Sequence, residues 1–237
     1  MIWFRSILFT ICYYIYSLVV FILMIPTFFF PRKWAMIMPI VWTGGGVLLL
    51  KWICGIKLNV EGKENLPHTK GYIVASKHQS AMETNIFHNL IPDAFYVFKK
   101  ELLWIPFAGL YGLKTGCLPI DRKGGGTALR KMFIGAQKRF KNGQNMVIFP
   151  EGTRTKPGEE KPYAPGIALM YEYCNVPVIP VALNTGYCWP KNSFLRHPGT
   201  VTVRILPAIK PGLPKREFLH VLQQTIENEQ KKLPLPY

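Results

Sequence analysis

The stretch Ser76-Lys77-His78-Gln79-Ser80-Ala81-Met82-Glu83-Thr84-Asn85 decides how this chain is read. Directly before it stands Tyr72-Ile73-Val74-Ala75, a short apolar run with the character of a buried strand. Within it, Ser80-Ala81-Met82-Glu83 has the Ser-x-x-Glu form of a capping box, which satisfies orphan amides at a helix N-terminus. Two readings of His78 and Glu83 meet here. In the structural reading Glu83 completes the cap and His78 is a polar residue in the approach to the helix. In the chemical reading the carboxylate orients the imidazole. Five positions at 3.6 residues per turn would set the two side chains about 140° apart on one continuous helix. They meet only if His78 lies in the turn before the helix and folds back over its first turn. A helix start at Ser80 permits that.

Similar texture continues downstream. Further apolar, β-rich runs occur at Ala94–Phe98, Asn145–Phe149, Val178–Ala182 and Val201–Ile205, with helical patterns between several of them. Leu129, Met132, Phe133, Ala136 and Phe140 recur with helical spacing, and Arg130, Lys131, Lys138, Arg139 and Lys141 form the outer, solvated face. A final helix is expected over about Lys215 to Lys231. The expectation is an α/β fold: a central mixed sheet flanked by helices, preceded by an N-terminal apolar helical hairpin for membrane attachment.

That hairpin rests on composition. Ser6 to Pro31 contains no charged residue, a run long enough to span a bilayer, and no small-residue cleavage site follows it. Trp34 to Leu50 is a second, shorter uncharged run containing Pro39 and Gly44-Gly45-Gly46, and only Arg32 and Lys33 separate the two. The two runs either cross twice or lie half-embedded in one leaflet, and the glycine interruption favours the second arrangement. The chain divides accordingly into residues 1–55 and 56–237. No acidic residue precedes Glu61, and the formal charge of the 237 residues is +16. An anionic partner is implied, and the apolar flank fits a membrane surface better than a nucleic acid. The five cysteines form no Cys-x-x-Cys pair, so neither a zinc site nor a disulfide framework is expected.

Two other stretches are dense in punctuation. In Gly116–Thr127, Asp121-Arg122-Lys123 precedes three glycines and a helix start, which suits either a flexible turn or backbone amides approaching an anion. In Phe149-Pro150-Glu151-Gly152-Thr153-Arg154-Thr155, an apolar strand ends in a carboxylate, a close-approach glycine, a hydroxyl and a guanidinium. Ligands of α/β folds gather at such strand ends. Arg154 suits a bidentate phosphate contact and Gly152 a close backbone approach to an oxyanion, while a surface turn with a Glu–Arg pair is the alternative.

Taken in order, these stretches resemble the 1-acylglycerol-3-phosphate acyltransferases of phosphatidic acid synthesis, in their bacterial form. The resemblance covers about Gly55 to Ile209. The family's His-x-x-x-x-Asp motif corresponds to His78 through Glu83, with glutamate in place of the usual aspartate. Its second motif falls on Gly116–Arg122, its Glu-Gly-Thr-Arg motif on Glu151–Arg154, and its Val-Pro-x-x-Pro motif on Val176–Pro180. A family lysine matches Lys99 of Lys99-Lys100-Glu101-Leu102. Ala164 stands where many members have lysine, with Lys161 nearby to compensate.

The resemblance implies acyl transfer from acyl-CoA or acyl-carrier protein to the sn-2 hydroxyl of lysophosphatidate, with no cofactor and no metal. His78 is implied as base and Glu83 as its orienting acid. Lys99, Arg122 and Arg154 are implied as phosphate contacts, with Glu151, Gly152 and Thr153 shaping the site. It further implies a place at the bacterial inner membrane, with the catalytic domain on the cytoplasmic side. Two rivals remain: the same chemistry on another lysolipid or on glycerol 3-phosphate, and a non-catalytic protein that binds acidic lipid. Nucleic acid is not an expected partner, since no compact reader motif is visible.

Overall fold

The computed structural model describes residues 1–105, 108–121 and 124–237. Helix α1 (Ile2–Met24) runs through a 3₁₀ turn (Ile25–Phe29) and a short α2 (Arg32–Ala35) into α3 (Ile37–Leu49), which continues as a π-helical segment, Leu50–Cys54. Gly55 ends it in the left-handed region, at φ 72°, where a side chain would strain the turn. Both apolar helical runs, Ile2–Phe29 and Arg32–Cys54, are long and apolar enough to cross a membrane by length and composition.

The glycine triplet does not interrupt the second run. Gly44, Gly45 and Gly46 lie inside α3, and their missing side chains make room for Asn89 beside Gly44 and for α1 beside the other two. A Cβ on Gly45 would sit 2.2 Å from the Tyr16 ring and one on Gly46 2.9 Å from Tyr13. Tyr16 then donates its hydroxyl to Val41 O at 2.6 Å. The glycines are packing seats between helices, so they give no reason to favour a broken, half-embedded segment.

Beyond the hairpin come β1 (Ile56–Glu61), β2 (Ile73–Ser76), α4 (Met82–Leu90), β3 (Ala94–Lys99), α5 (Ala108–Thr115), β4 (Leu118–Ile120), α6 (Gly125–Lys141), β5 (Asn145–Ile148), α7 (Pro165–Cys174), β6 (Val178–Leu183), α8 (Thr185–Cys188), β7 (Gly199–Ile205) and α9 (Lys215–Gln230). The sheet order is β1-β7-β6-β2-β5-β3-β4. Only β6 and β7 pair antiparallel; the other neighbours are parallel, so the sheet is mixed, as expected.

Alternation along β2 divides the core into two layers. Tyr72 and Val74 face a layer that contains Met82, Ile86 and Phe87 of α4 together with Phe9, Leu50 and Cys54 of the hairpin. Ile73 and Ala75 face the other layer, built from Met132, Ala136 and Phe140 of α6, Ile167 and Met170 of α7, and Phe218, Leu222 and Ile226 of α9. Burying each large apolar side chain of α4 contributes roughly 1.5–3 kcal/mol. Packing therefore outweighs the N-terminal cap, worth about 1 kcal/mol, in setting where α4 lies. On α6, Arg130, Lys131, Lys138 and Lys141 are exposed as expected. Arg139 instead turns inward, donating to Gly135 O at 2.9 Å and to Gly116 O.

The hairpin is part of this core. Phe9 is 1% exposed and meets Tyr13 and Trp189 at ring separations of 5.4 and 5.9 Å. Removing residues 1–55 should therefore give aggregated chain instead of a soluble α/β unit, as read by sedimentation. The milder Phe9→Ala should cost about 3–5 kcal/mol of unfolding free energy. A monomeric deletion variant that melts cooperatively would contradict this packing.

Candidate active site

Parallel pairing brings the C-terminal ends of β6, β2, β5 and β3 to one edge of the sheet. The segments leaving those ends hold the polar residues singled out above. His78 follows β2, Glu151–Thr155 follow β5, Lys99 closes β3, and Thr185 begins α8 after β6.

His78 lies in the turn before α4, and its ring folds back over the helix start. Nδ1 is 2.5 Å from Glu83 Oε2. The other oxygen, Oε1, accepts the Gln79 N–H at 3.0 Å, the Ser80 N–H at 2.7 Å and the Thr185 hydroxyl. Ser80 Oγ accepts the Met82 N–H at 3.2 Å, one position earlier than the capping box has it. Glu83 is thus cap and imidazole partner at once, one oxygen serving each role. Its side chain is buried, while that of His78 is 19% exposed and stacks on Phe149 at 3.9 Å. With Nδ1–H donated to the carboxylate, Nε2 is the ring nitrogen left for chemistry.

The His78 backbone is clamped from below by the turn after β5. Its N–H donates to Glu151 Oε2 at 3.1 Å. Its carbonyl accepts the Thr155 N–H at 2.7 Å and lies 3.0 Å from the Thr155 hydroxyl. Glu151 is buried, with Lys77 Nζ 3.3 Å from Oε1. Burial pushes its carboxyl up to about 7, against the opposing pull of Lys77. No Glu151–Arg154 pair forms: the carboxylate is turned inward and away from the guanidinium's cleft.

That cleft has a volume of about 640 Å³. His78, Lys99, Gly152 and Arg154 line it together with Phe98, Phe149 and Ile167, and no carboxylate does so among the described residues. Neither Lys99 nor Arg154 has a side-chain hydrogen-bond or ion-pair partner among the described residues. Gly152 sits at φ 67° with open space about its Cα, and its N–H donates to Phe149 O at 3.0 Å. Thr153 is exposed outside the cleft lining. Ala164 lines the cleft, whereas Lys161 does not and pairs with Glu159 at 3.3 Å. Arg122 lies outside the described residues. An apolar cavity of about 190 Å³, lined partly by Phe21, Met38 and Trp42 of the hairpin, shares Thr84, Tyr96, Phe98 and Leu102 with the cleft.

Three participants escape a reading of the sequence. Thr185 bonds Glu83 from 102 residues away, and only the adjacency of β2 and β6 brings it there. Thr155 extends the Glu151–Arg154 motif by one residue without any spacing signal of its own. Lys77, beside the histidine, carries no local signal of burial, which comes from its place at the end of β2, a strand buried on both faces.

Comparison with known proteins places the chain beside acyltransferases. A family model described as Acyltransferase matches residues 57–184. A 1-acyl-sn-glycerol-3-phosphate acyltransferase of Pseudomonas aeruginosa is 34% identical over 168 residues, which are 71% of this chain and 65% of that protein. The alpha form from Mus musculus is 32% identical over 166 residues, 69% of this chain and 58% of that one. The matched region thus spans less than two thirds of these relatives' own length. The crystal structure of a 1-acyl-sn-glycerophosphate acyltransferase from Thermotoga maritima superposes with a TM-score of 0.80 over 97% of both chains at 22% identity, a likeness of fold.

The raised Glu151 carboxyl predicts a pH signature. Below pH about 4.5 it is protonated folded or unfolded, and above about 7 it is ionised in both. Between those values the folded state keeps a proton that the unfolded chain has lost, so this group makes stability fall as pH rises. Melting temperatures of Glu151→Gln should decline less over that window than those of the unaltered protein. Parallel curves would refute the shift.

Proposed function

The chain belongs to the acyltransferase family, and on that premise we propose that it moves a fatty acyl group from a thioester to the sn-2 hydroxyl of 1-acylglycerol 3-phosphate, giving phosphatidic acid. The observation that carries this reading is the His78–Glu83 pair at 2.5 Å, with His78 in the lining of a cleft that has two cations and no carboxylate among the described residues. The relatives from Pseudomonas aeruginosa and Mus musculus, both named for that activity, support it.

In the proposed reaction, His78 Nε2 takes the proton of the sn-2 hydroxyl as that oxygen attacks the thioester carbonyl. Glu83 holds the tautomer that leaves Nε2 free and stabilises the imidazolium that forms. The tetrahedral oxyanion then collapses, the C–S bond breaks, and the imidazolium returns its proton to the departing thiolate. An ester and a free thiol result, and atoms balance. Lys99 and Arg154 hold the phosphate, with Arg122 as a third contact. The adjoining apolar cavity takes acyl chain, and the hairpin places its mouth at the bilayer. Acyl-CoA and acyl-carrier protein are both thioesters of the required kind. The proposed setting is the bacterial inner membrane, with the sheet on the cytoplasmic side.

The test is phosphatidic acid formation by purified protein from lysophosphatidate and each thioester, with other lysolipids and glycerol 3-phosphate as competing acceptors. His78→Ala and Glu83→Gln should each lower kcat by about 10²–10⁴-fold. Glutamine keeps the cap, so the melting temperature of Glu83→Gln should hardly move. Glu83→Asp should retain substantial activity. Arg154→Ala should mainly raise KM for lysophosphatidate. A Glu83→Gln protein with full turnover would sink the pair, and acid-lipid binding indifferent to His78→Ala without turnover would leave a binding protein.

A further inference from the structure

The mechanism makes no use of a cation buried beside its base. Lys77 precedes His78 and is fully buried. Its Nζ lies 2.6 Å from Glu227 Oε1, 3.0 Å from Glu159 O and 3.3 Å from Glu151 Oε1, three acceptors for the three donors of an ammonium. Glu227 belongs to α9, 150 residues further along the chain, and also accepts the Tyr163 hydroxyl at 3.1 Å. The far oxygen of Glu151 accepts the His78 N–H. A continuous run of contacts therefore leads from the terminal helix through Lys77 and Glu151 to the backbone of the histidine.

Burying one ammonium with two carboxylates compares poorly with apolar packing as a source of stability. What this cluster does supply is direction, because its contacts lead from α9 through Lys77 and Glu151 to the segments that hold the histidine. We propose that Lys77 is a positioning residue for acyl transfer: by joining Glu227 of α9 to the Glu151 carboxylate beneath His78, it fixes the attitude at which the imidazole enters the cleft. The proposal rests on the reading of His78 as the base.

The charges facing Glu151 come from each element packed on it. Lys77 and His78 leave β2, Tyr163 precedes α7, and Glu227 stands on α9. Lys77 draws the Glu151 carboxyl down, whereas Glu227 pushes it up. An ionised Glu151 is the stronger acceptor for the His78 N–H. The two ends of the network should therefore shift the titration of that bond in opposite directions, which simple damage to packing cannot do.

The experiment uses the full chain in detergent, labelled with ¹⁵N-histidine, of which there are five. The His78 amide is followed across about pH 5–9 beside the pH profiles of kcat and KM. Lys77→Met should raise the amide midpoint by about one pH unit or more, and Glu227→Gln should lower it. The acid limb of kcat should follow both, with KM changed less than about twofold. Lys77→Arg should stay near the unaltered protein, and the double variant Lys77→Met/Glu227→Gln should return towards it. Should Lys77→Met fail to fold, the downward shift in Glu227→Gln decides alone. Midpoints that do not move, or that move while kcat does not follow, overturn the positioning role while the acyltransferase reading stands. An unaltered protein without turnover on any acceptor would instead sink that reading, and the role in transfer with it.

Discussion

The Glu83 carboxylate is the junction on which the site's geometry depends. It sits with no exposure and receives four donors: two amides at the start of α4, the hydroxyl of Thr185, and the imidazole of His78. A buried carboxylate is tolerable only when so surrounded. The same satisfaction ties three pieces of chain together, for the turn after β2, the first turn of α4 and the start of α8 all end on these two oxygens. Removing the whole carboxyl group would loosen a strand connection and release the ring in one step, whereas an amide keeps the capping oxygen and loses only the one that holds the ring. That coupling explains how one residue serves both as helix cap and as partner of the imidazole.

Around this junction the charges are sorted by depth. Carboxylates lie below the histidine, in Glu83 and in the Glu151–Lys77–Glu227 cluster. The cleft above presents Lys99 and Arg154. Such sorting gives the opening a positive potential toward an anionic head group while the anions that orient the ring stay out of its way. It also separates the parts of the Glu151–Arg154 motif. Glu151 faces down and secures the His78 backbone, Arg154 faces the cleft, and Gly152 permits the reversal between them at φ 67°.

Much of this was legible in the residues. The apolar runs at β2, β3, β5, β6 and β7 mark five of the seven strands among the described residues, because strands buried on both faces leave continuous hydrophobic signatures. Strand β1 shows only the weaker alternation Ile56, Leu58, Val60, diluted by its place at the sheet edge, and the three-residue β4 is too short for a pattern. The geometric condition for His78 and Glu83 could be stated from helix periodicity, and the turn before α4 satisfies it. The partners of that pair could not be foreseen. Thr185 and Lys77 acquire their roles from sheet order and from burial, which no local spacing encodes. The glycine triplet shows the same limit, since a residue without a side chain reads as a break until the tyrosines that fill its space are known.

The seam between hairpin and sheet is clasped by Arg32, whose guanidinium pairs with Asp93 and donates to Thr115 O at 2.9 Å. With Phe9 and Leu50 in the shared core, the apolar helices cannot swing as a leash would. On the proposed reading, with an acceptor that resides in the bilayer, this rigidity changes the dimensionality of the search. Encounter becomes lateral diffusion within a surface, governed by the mole fraction of acceptor among the surrounding lipids and not by its bulk concentration. Diluting the acceptor with inert lipid would slow such an enzyme even at constant molarity, while the water-soluble thioester would still arrive in three dimensions.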